Sequence, residues 1–128
     1  MQLPGRRINQ GENLYTPWFS RGGDSMLLRI ETLKAVHTGG SLSVKVETKN
    51  EDDPTGATAM TFTAGGTTLT LATSAGDFVT GLCLSKSDGS EGTKQQVRLA
   101  FSWSGGASTD YVDVRVLAPV FFDAAKVN

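Results

Sequence analysis

The stretch Val97-Arg-Leu-Ala-Phe-Ser-Trp103 places an apolar residue at every second position, with small or polar residues between them. Successive side chains of a β-strand point to opposite faces, so this alternation predicts a strand with one buried face. The same pattern recurs at Leu42-Ser-Val-Lys-Val-Glu47 and at Tyr111-Val-Asp-Val-Arg-Val116. These three segments indicate a chain built from half-buried strands.

Similar runs extend over the chain from Met26 to Ala118, separated by segments rich in glycine, serine and threonine. Such spacing of short strands and turns is typical of an all-β protein. We predict a two-sheet antiparallel β-sandwich of about seven to eight strands. Both jelly-roll and immunoglobulin-like connectivity are compatible with the pattern, and the 128 residues fit one domain.

One pairing follows from the turn chemistry. The runs Met26–Val36 and Leu42–Val46 are joined through Thr38-Gly-Gly-Ser41, whose glycines suit a tight hairpin turn. We therefore predict that the two runs pair as an antiparallel hairpin in one sheet.

The first 13 residues, Met-Gln-Leu-Pro-Gly-Arg-Arg-Ile-Asn-Gln-Gly-Glu-Asn, follow neither the helical nor the strand period. A proline and two glycines within them disfavour regular structure. We predict an extended N-terminal arm over residues 1–13 and a single β-sandwich domain over residues 14–128. On this prediction, removal of the arm leaves the domain folded.

Motifs for catalysis or cofactor binding are missing from the sequence. His37 is the sole histidine and Cys83 the sole cysteine, which is too few for a zinc site or a nucleophile–base pair. Cys83 lies in the apolar run Phe78–Leu84, so we expect a buried thiol. We predict that the protein is not an enzyme and carries no cofactor. Calcium binding by the acidic loops at 51–53 and 88–91 stays open.

Charge and hydropathy limit the partners. The chain has 12 basic and 13 acidic residues and a net charge of −1, whereas nucleic-acid binders carry a clear basic excess. No segment approaches the roughly 20 apolar residues of a membrane span, and the N-terminus lacks the apolar region of a secretory signal. We expect no nucleic-acid or membrane partner, and synthesis in the cytoplasm.

Two pairs of adjacent aromatic residues, Trp18-Phe19 and Phe121-Phe122, each follow a proline closely. Adjacent side chains on a strand point to opposite faces, so one aromatic of each pair needs cover outside the main core. Tyr15 and Arg21 flank the first pair, and these residue types are enriched in binding hot spots. A loop or the arm is one source of cover, and a partner chain is the other.

A locally basic arm, then Leu14-Tyr-Thr-Pro-Trp-Phe-Ser-Arg-Gly-Gly-Asp24, then a Thr/Gly-rich sandwich resembles the capsid decoration or cement proteins of tailed bacteriophages. The resemblance implies a virion structural protein on the capsid surface that binds and stabilises the lattice of the major capsid protein. It also implies a homo-oligomer, often a trimer. The residues that we expect at partner contacts are Arg6, Arg7, Tyr15, Trp18, Phe19, Arg21, Phe121 and Phe122.

Two further functions stay open. A phage tail or adaptor component would show the same features. A carbohydrate-binding module would use exposed aromatic rings for stacking, and its candidates are Tyr15, Trp18, Trp103 and Tyr111. Trp103, however, is in register with the apolar face of its strand, so we expect it in the core.

Overall fold

A computed structural model describes residues 3–52, 57–63, 65–84 and 93–123. All regular structure in these residues is β-strand, and the strand pairings are antiparallel. The strands are β1 (Leu3–Asn9), β2 (Asn13–Tyr15), β3 (Phe19–Ser20), β4 (Ser25–Val36), β5 (Ser41–Lys49), β6 (Thr58–Ala59), β7 (Leu69–Thr70), β8 (Phe78–Cys83), β9 (Gln96–Ser104), β10 (Tyr111–Val116) and β11 (Val120–Phe122).

The strands form the two sheets of a β-sandwich, as predicted. The first sheet has the order β1-β10-β4-β8, and β11 continues along the edge of β4 beyond β10. The second sheet has the order β2-β9-β5-β6. In it, β2 and β3 pair with successive parts of β9, and β6 and β7 pair with successive parts of β5. The described residues contain eleven strands rather than seven to eight. The count is higher because at three of the eight places in the two sheets two short strands lie end to end. These pairs are β2 with β3, β6 with β7, and β10 with β11, and each pair is counted as one strand position.

The connections between the sheets give the chain a jelly-roll topology. Numbered in chain order, strand positions 1, 8, 3 and 6 make up the first sheet, and positions 2, 7, 4 and 5 make up the second. This is the strand order of a jelly roll. The topology therefore decides between the two connectivities that the sequence left open.

The predicted hairpin between residues 26–36 and 42–46 is wrong. β4 belongs to the first sheet and β5 to the second, where β5 pairs with β9 along its whole length. The connection between them crosses from one sheet to the other at Gly40, where an added Cβ would lie 2.5 Å from the backbone nitrogen of Gly106. The glycine thus permits a close approach of two backbones rather than a hairpin turn.

Asp110 fastens this end of the sandwich. Its carboxylate accepts hydrogen bonds from the Thr38 N–H at 3.1 Å, the Thr38 hydroxyl at 2.9 Å and the Ala107 N–H at 3.0 Å. Burial by itself raises the pKa of this carboxyl group, but these hydrogen bonds outweigh it, so the pKa lies below its ordinary value. One buried carboxylate therefore joins the β4–β5 and β9–β10 connections.

The inward faces of the two sheets supply the core. Along β5, β9 and β10 the inward residues are buried and alternate with residues that are more exposed. The alternation predicted for the three opening segments is confirmed. The largest fully buried side chains are Phe101, Ile8, Met26, Leu28, Ile30 and Leu99.

The predicted arm contains a strand of the first sheet. β1 pairs with β10 from Leu3 to Asn9, and the Ile8 side chain is completely buried. The indole N–H of Trp103 donates to the Ile8 carbonyl at 3.3 Å, which ties β9 of the second sheet to β1. The register shifts between Leu3 and Arg6, and such an irregularity interrupts the alternation by which a strand is predicted.

Candidate functional site

The outer face of the second sheet carries a group of stacked aromatic and charged side chains. The Arg98 guanidinium lies 4.4 Å from the centre of the Tyr15 ring and 4.6 Å from the centre of the Trp18 ring. Its Nε donates to Glu47 Oε1 at 2.7 Å, and Lys49 Nζ lies 5.0 Å from the centre of the Trp18 ring. We call these five residues the aromatic–arginine cluster.

Strand register builds this cluster. Glu47 and Arg98 are directly opposite each other on β5 and β9, and opposite charges at such positions attract. Tyr15 pairs with Ala100 on the other edge of β9, one row along from Arg98. After Tyr15, the Thr16 hydroxyl accepts the Leu99 N–H at 2.9 Å, and the Thr16 N–H donates to the Leu99 carbonyl at 3.0 Å. These bonds hold the segment that leads to Trp18 against β9.

Contacts within the cluster hold its aromatic rings in place. Cation–π contacts at exposed sites contribute about 0.5–1 kcal/mol each, and Arg98 makes two of them together with its ion pair to Glu47. Tyr15 nevertheless remains 52% exposed. The result is a large aromatic side chain that is positioned by the fold and still open to solvent.

Small side chains lie beside the cluster on the same face. Ala100 separates Tyr15 from Lys45 in one row across β2, β9 and β5. In the next row, Ser43 and Ser102 are directly opposite each other. We call this part of the face, floored by Ala100, Ser43 and Ser102, the low strip.

Phe19 and Phe121 lie elsewhere and pack against each other. Their ring centres are 6.3 Å apart in an edge-to-face arrangement, and both rings pack against the core. Phe122 is half-buried on β11, where its backbone would lie within 2.6 Å of a Cβ at Gly23. Phe19 and Phe121 are therefore the members of the two pairs that pack against the core, whereas Trp18 of the first pair is contacted by Arg98 and Lys49.

The predicted arginines make intramolecular contacts. The Arg21 side chain donates to the Thr93 carbonyl at 2.6 Å. Arg7 Nε and Nη2 donate to the Asp113 carboxylate at 2.8 and 3.1 Å, and its guanidinium lies 3.8 Å from the centre of the Tyr111 ring. The bond from Arg7 holds the pKa of Asp113 below its ordinary value, and the same bond raises the pKa of Arg7.

Arg6 and Arg7 border an open cavity of about 340 Å³ on the first sheet, together with Gly5, Leu33 and Asp113. This cavity is separate from the aromatic–arginine cluster, because β1 and the cluster strands belong to different sheets. The structure thus spreads the eight predicted contact residues over several places: Tyr15 and Trp18 meet in the cluster, Phe19 and Phe121 pack against each other, and Arg6 and Arg7 border the cavity.

Glu47, Lys49 and Arg98 complete the cluster, and the sequence pattern did not single them out. Each lies on the outward face of an alternating strand, where a charged residue is usually no more than a solvated surface group. The register between β5 and β9 would have identified the Glu47–Arg98 pair, but that pairing is non-local and is not readable from turn signals.

Groups suited to chemistry are sparse in the part of the chain that the structure describes. His37 Nε2 bonds to the Gly40 carbonyl within its own connection. Cys83 is fully buried as expected, and burial raises the pKa of its thiol to about 12. The described residues contain no group of three or more His, Cys, Asp or Glu that would hold a metal ion. They also contain no helix of the length and apolarity needed to cross a membrane.

The fold and the site together define a jelly-roll β-sandwich with an ordered aromatic–arginine face. No protein-family model, no curated protein and no solved structure matches the chain.

Proposed function

We propose that this protein is a non-enzymatic virion structural protein, a capsid decoration or cement protein that binds and stabilises the major capsid protein lattice of a tailed bacteriophage. The jelly-roll topology is compatible with the proposal, because viral capsid domains are built on this fold, although lectin domains share it. Since one fold hosts many functions, the proposal rests mainly on the site.

The aromatic–arginine cluster is the observation that carries the proposal. Tyr, Trp and Arg supply a large share of the binding energy at protein interfaces, and here Tyr15, Trp18 and Arg98 are stacked on one sheet face. Side chains that are ordered beforehand lose little conformational entropy on binding. We further propose a homo-oligomer, with a trimer favoured, because several copies of one face attach to a repeating lattice with higher avidity.

Co-sedimentation with shells of the cognate major capsid protein tests the proposal. We expect Trp18→Ala and Tyr15→Ala to weaken shell binding by about ten-fold or more, the range of interface hot spots. Phe78→Ala is the matched control, because Phe78 is also an exposed aromatic residue but lies in the first sheet. Shell binding that is the same in all three variants as in the wild type would contradict the proposal.

Two companion measurements test the oligomeric state and the identity of the partner. Light scattering across a concentration series tests the trimer by its solution mass. Co-sedimentation with tails in place of shells would identify a tail or adaptor component instead, and that outcome would be equally sensitive to Trp18→Ala if the cluster is the contact.

The carbohydrate-binding alternative has less support. Of its four aromatic candidates, Trp103 is bonded to Ile8 at the junction of the sheets, and Tyr111 is on the first sheet beneath Arg7. Only Tyr15 and Trp18 share a face, so an extended platform of four rings does not form.

A further inference from the structure

The outer face of the second sheet carries an excess of positive charge. The outward residues of β5 and β9 include three cations, Lys45, Lys49 and Arg98, and one anion, Glu47, whereas the whole chain has a net charge of −1. Arg98 and Glu47 neutralise each other through their 2.7 Å ion pair. The uncompensated charges are therefore the two lysines that flank Glu47 on β5.

Lys45 borders the low strip. It lies in register with Ala100, and Tyr15 lies on the other side of Ala100. Two strand spacings separate Lys45 from Tyr15, about 10 Å, and only the Ala100 methyl group stands between them. Lys45 forms no ion pair with any residue that the structure describes.

The low strip offers three kinds of contact close together. Tyr15 supplies an exposed aromatic ring, Lys45 supplies a cation, and the row of Ser43 and Ser102 supplies hydroxyl donors. A carboxylate accepts strong hydrogen bonds from both an ammonium group and hydroxyl groups. An extended polypeptide with acidic side chains offers a partner for each of the three contacts, and about 10 Å separates the strand positions of Tyr15 and Lys45.

We propose that the low strip binds an extended acidic segment of the partner protein, with a carboxylate at Lys45 and an apolar stem against Tyr15. This inference rests on the proposed function and specifies the chemistry of the partner. Complementary charge across an interface raises the association rate and sets specificity. A stacked sugar fits less well, because the Trp18 ring already has Arg98 and Lys49 within 5.0 Å of its centre.

Fluorescence anisotropy with the full chain tests the inference. The probe is a fluorescein-labelled peptide of alternating glutamate and serine, and its counterpart has glutamine in place of glutamate. We expect only the glutamate peptide to bind, with an affinity that falls as salt is added. Lys45→Glu should weaken binding by about ten-fold or more. The matched control is Lys34→Glu, since Lys34 lies 5.9 Å from the Tyr111 ring centre in the first sheet.

Three results would overturn the inference. They are equal binding of the two peptides, equal affinity of Lys45→Glu and the wild type, and tighter binding of a heparin fragment or of single-stranded oligothymidine than of the glutamate peptide. The last result would identify a general polyanion site.

Shell binding separates this inference from the proposed function. If Trp18→Ala loses shell binding and Lys45→Glu keeps it, the decoration role is supported and the inference of an acidic segment is rejected. If the protein binds the glutamate peptide through Lys45 but never binds shells, the inference of an acidic segment is supported and the decoration role is rejected.

Discussion

The ring of Phe62 lies directly against Gly81. A Cβ atom at position 81 would be 2.5 Å from Phe62 Cε1 and 3.1 Å from Leu69 Cδ2. Phe62 belongs to the connection between β6 and β7 and is buried, and the adjacent Thr63 N–H donates to the Leu82 carbonyl at 2.8 Å. This connection therefore joins the β8 edge of the first sheet to the second sheet.

Gly81→Ala should destabilise the protein, because the added methyl group overlaps a buried ring. Overpacking of this kind costs about 1–3 kcal/mol of unfolding free energy, measured by guanidinium denaturation. Gly5→Ala is the matched control, since its nearest neighbour would be 3.9 Å away. Combining Gly81→Ala with Phe62→Leu should recover part of the loss beyond additivity. Equal stability of Gly81→Ala and the wild type would contradict the packing described.

Ile8→Ala should destabilise the protein by about 2–5 kcal/mol, as for other large buried aliphatic side chains, because Ile8 is completely buried. Leu33→Ala is the control, since Leu33 is 41% exposed, and it should change the unfolding free energy little.

Deletion of residues 1–9 removes β1 and should abolish cooperative thermal unfolding followed by circular dichroism. A truncated chain that melts like the full chain would restore the prediction of a removable arm.

The free energy of unfolding should decrease in acid, because protonation of Asp110 weakens the hydrogen bonds that its carboxylate accepts. Its pKa is lower in the folded protein than the ordinary value of 3.8. The contribution of Asp110 to the free energy of unfolding is therefore fully present above pH 3.8 and is lost as the pH falls through the folded pKa. Asp110→Asn should melt at a lower temperature than the wild type at neutral pH, and the difference should shrink in acid. Asp52→Asn, at an exposed position, is the control. A difference between Asp110→Asn and the wild type that is the same at every pH would show that the carboxylate charge is not its source.

The Cys83 thiol should be inert in the folded protein. It is fully buried and its pKa is raised to about 12, so almost no thiolate is present near neutral pH and reagents lack access. We expect negligible reaction with Ellman's reagent in buffer and one thiol per chain in guanidinium. Rapid stoichiometric labelling of the native protein would contradict the burial of Cys83.

The parts of the fold that were predictable from sequence are those encoded by neighbours along the chain. Alternation at Val97–Trp103 and Leu42–Glu47 is a local property, because the inward and outward directions follow from strand geometry alone. The structure confirms the inward set of both strands and the burial of Cys83. Of the site, Tyr15 and Trp18 were recognisable from residue type.

The pairing of strands was not predictable in this way. The glycines at 39 and 40 resemble a hairpin signal, yet the jelly roll uses this connection to cross between sheets. The crossing brings Gly40 against the backbone of Gly106, which is far away in sequence. The same limit applies to β1, whose partner β10 lies at the other end of the chain.

The sequence by itself determined that the chain forms an all-β sandwich and which side chains of its regular strands face inward. Only the tertiary structure decided the jelly-roll order, the inclusion of residues 3–9 in a sheet, and the meeting of Arg98 with Tyr15, Trp18 and Glu47. The physical reason is that burial direction repeats with the two-residue period of one strand. Strand partners, in contrast, are chosen by contacts between residues that are distant in sequence, and no local pattern records them.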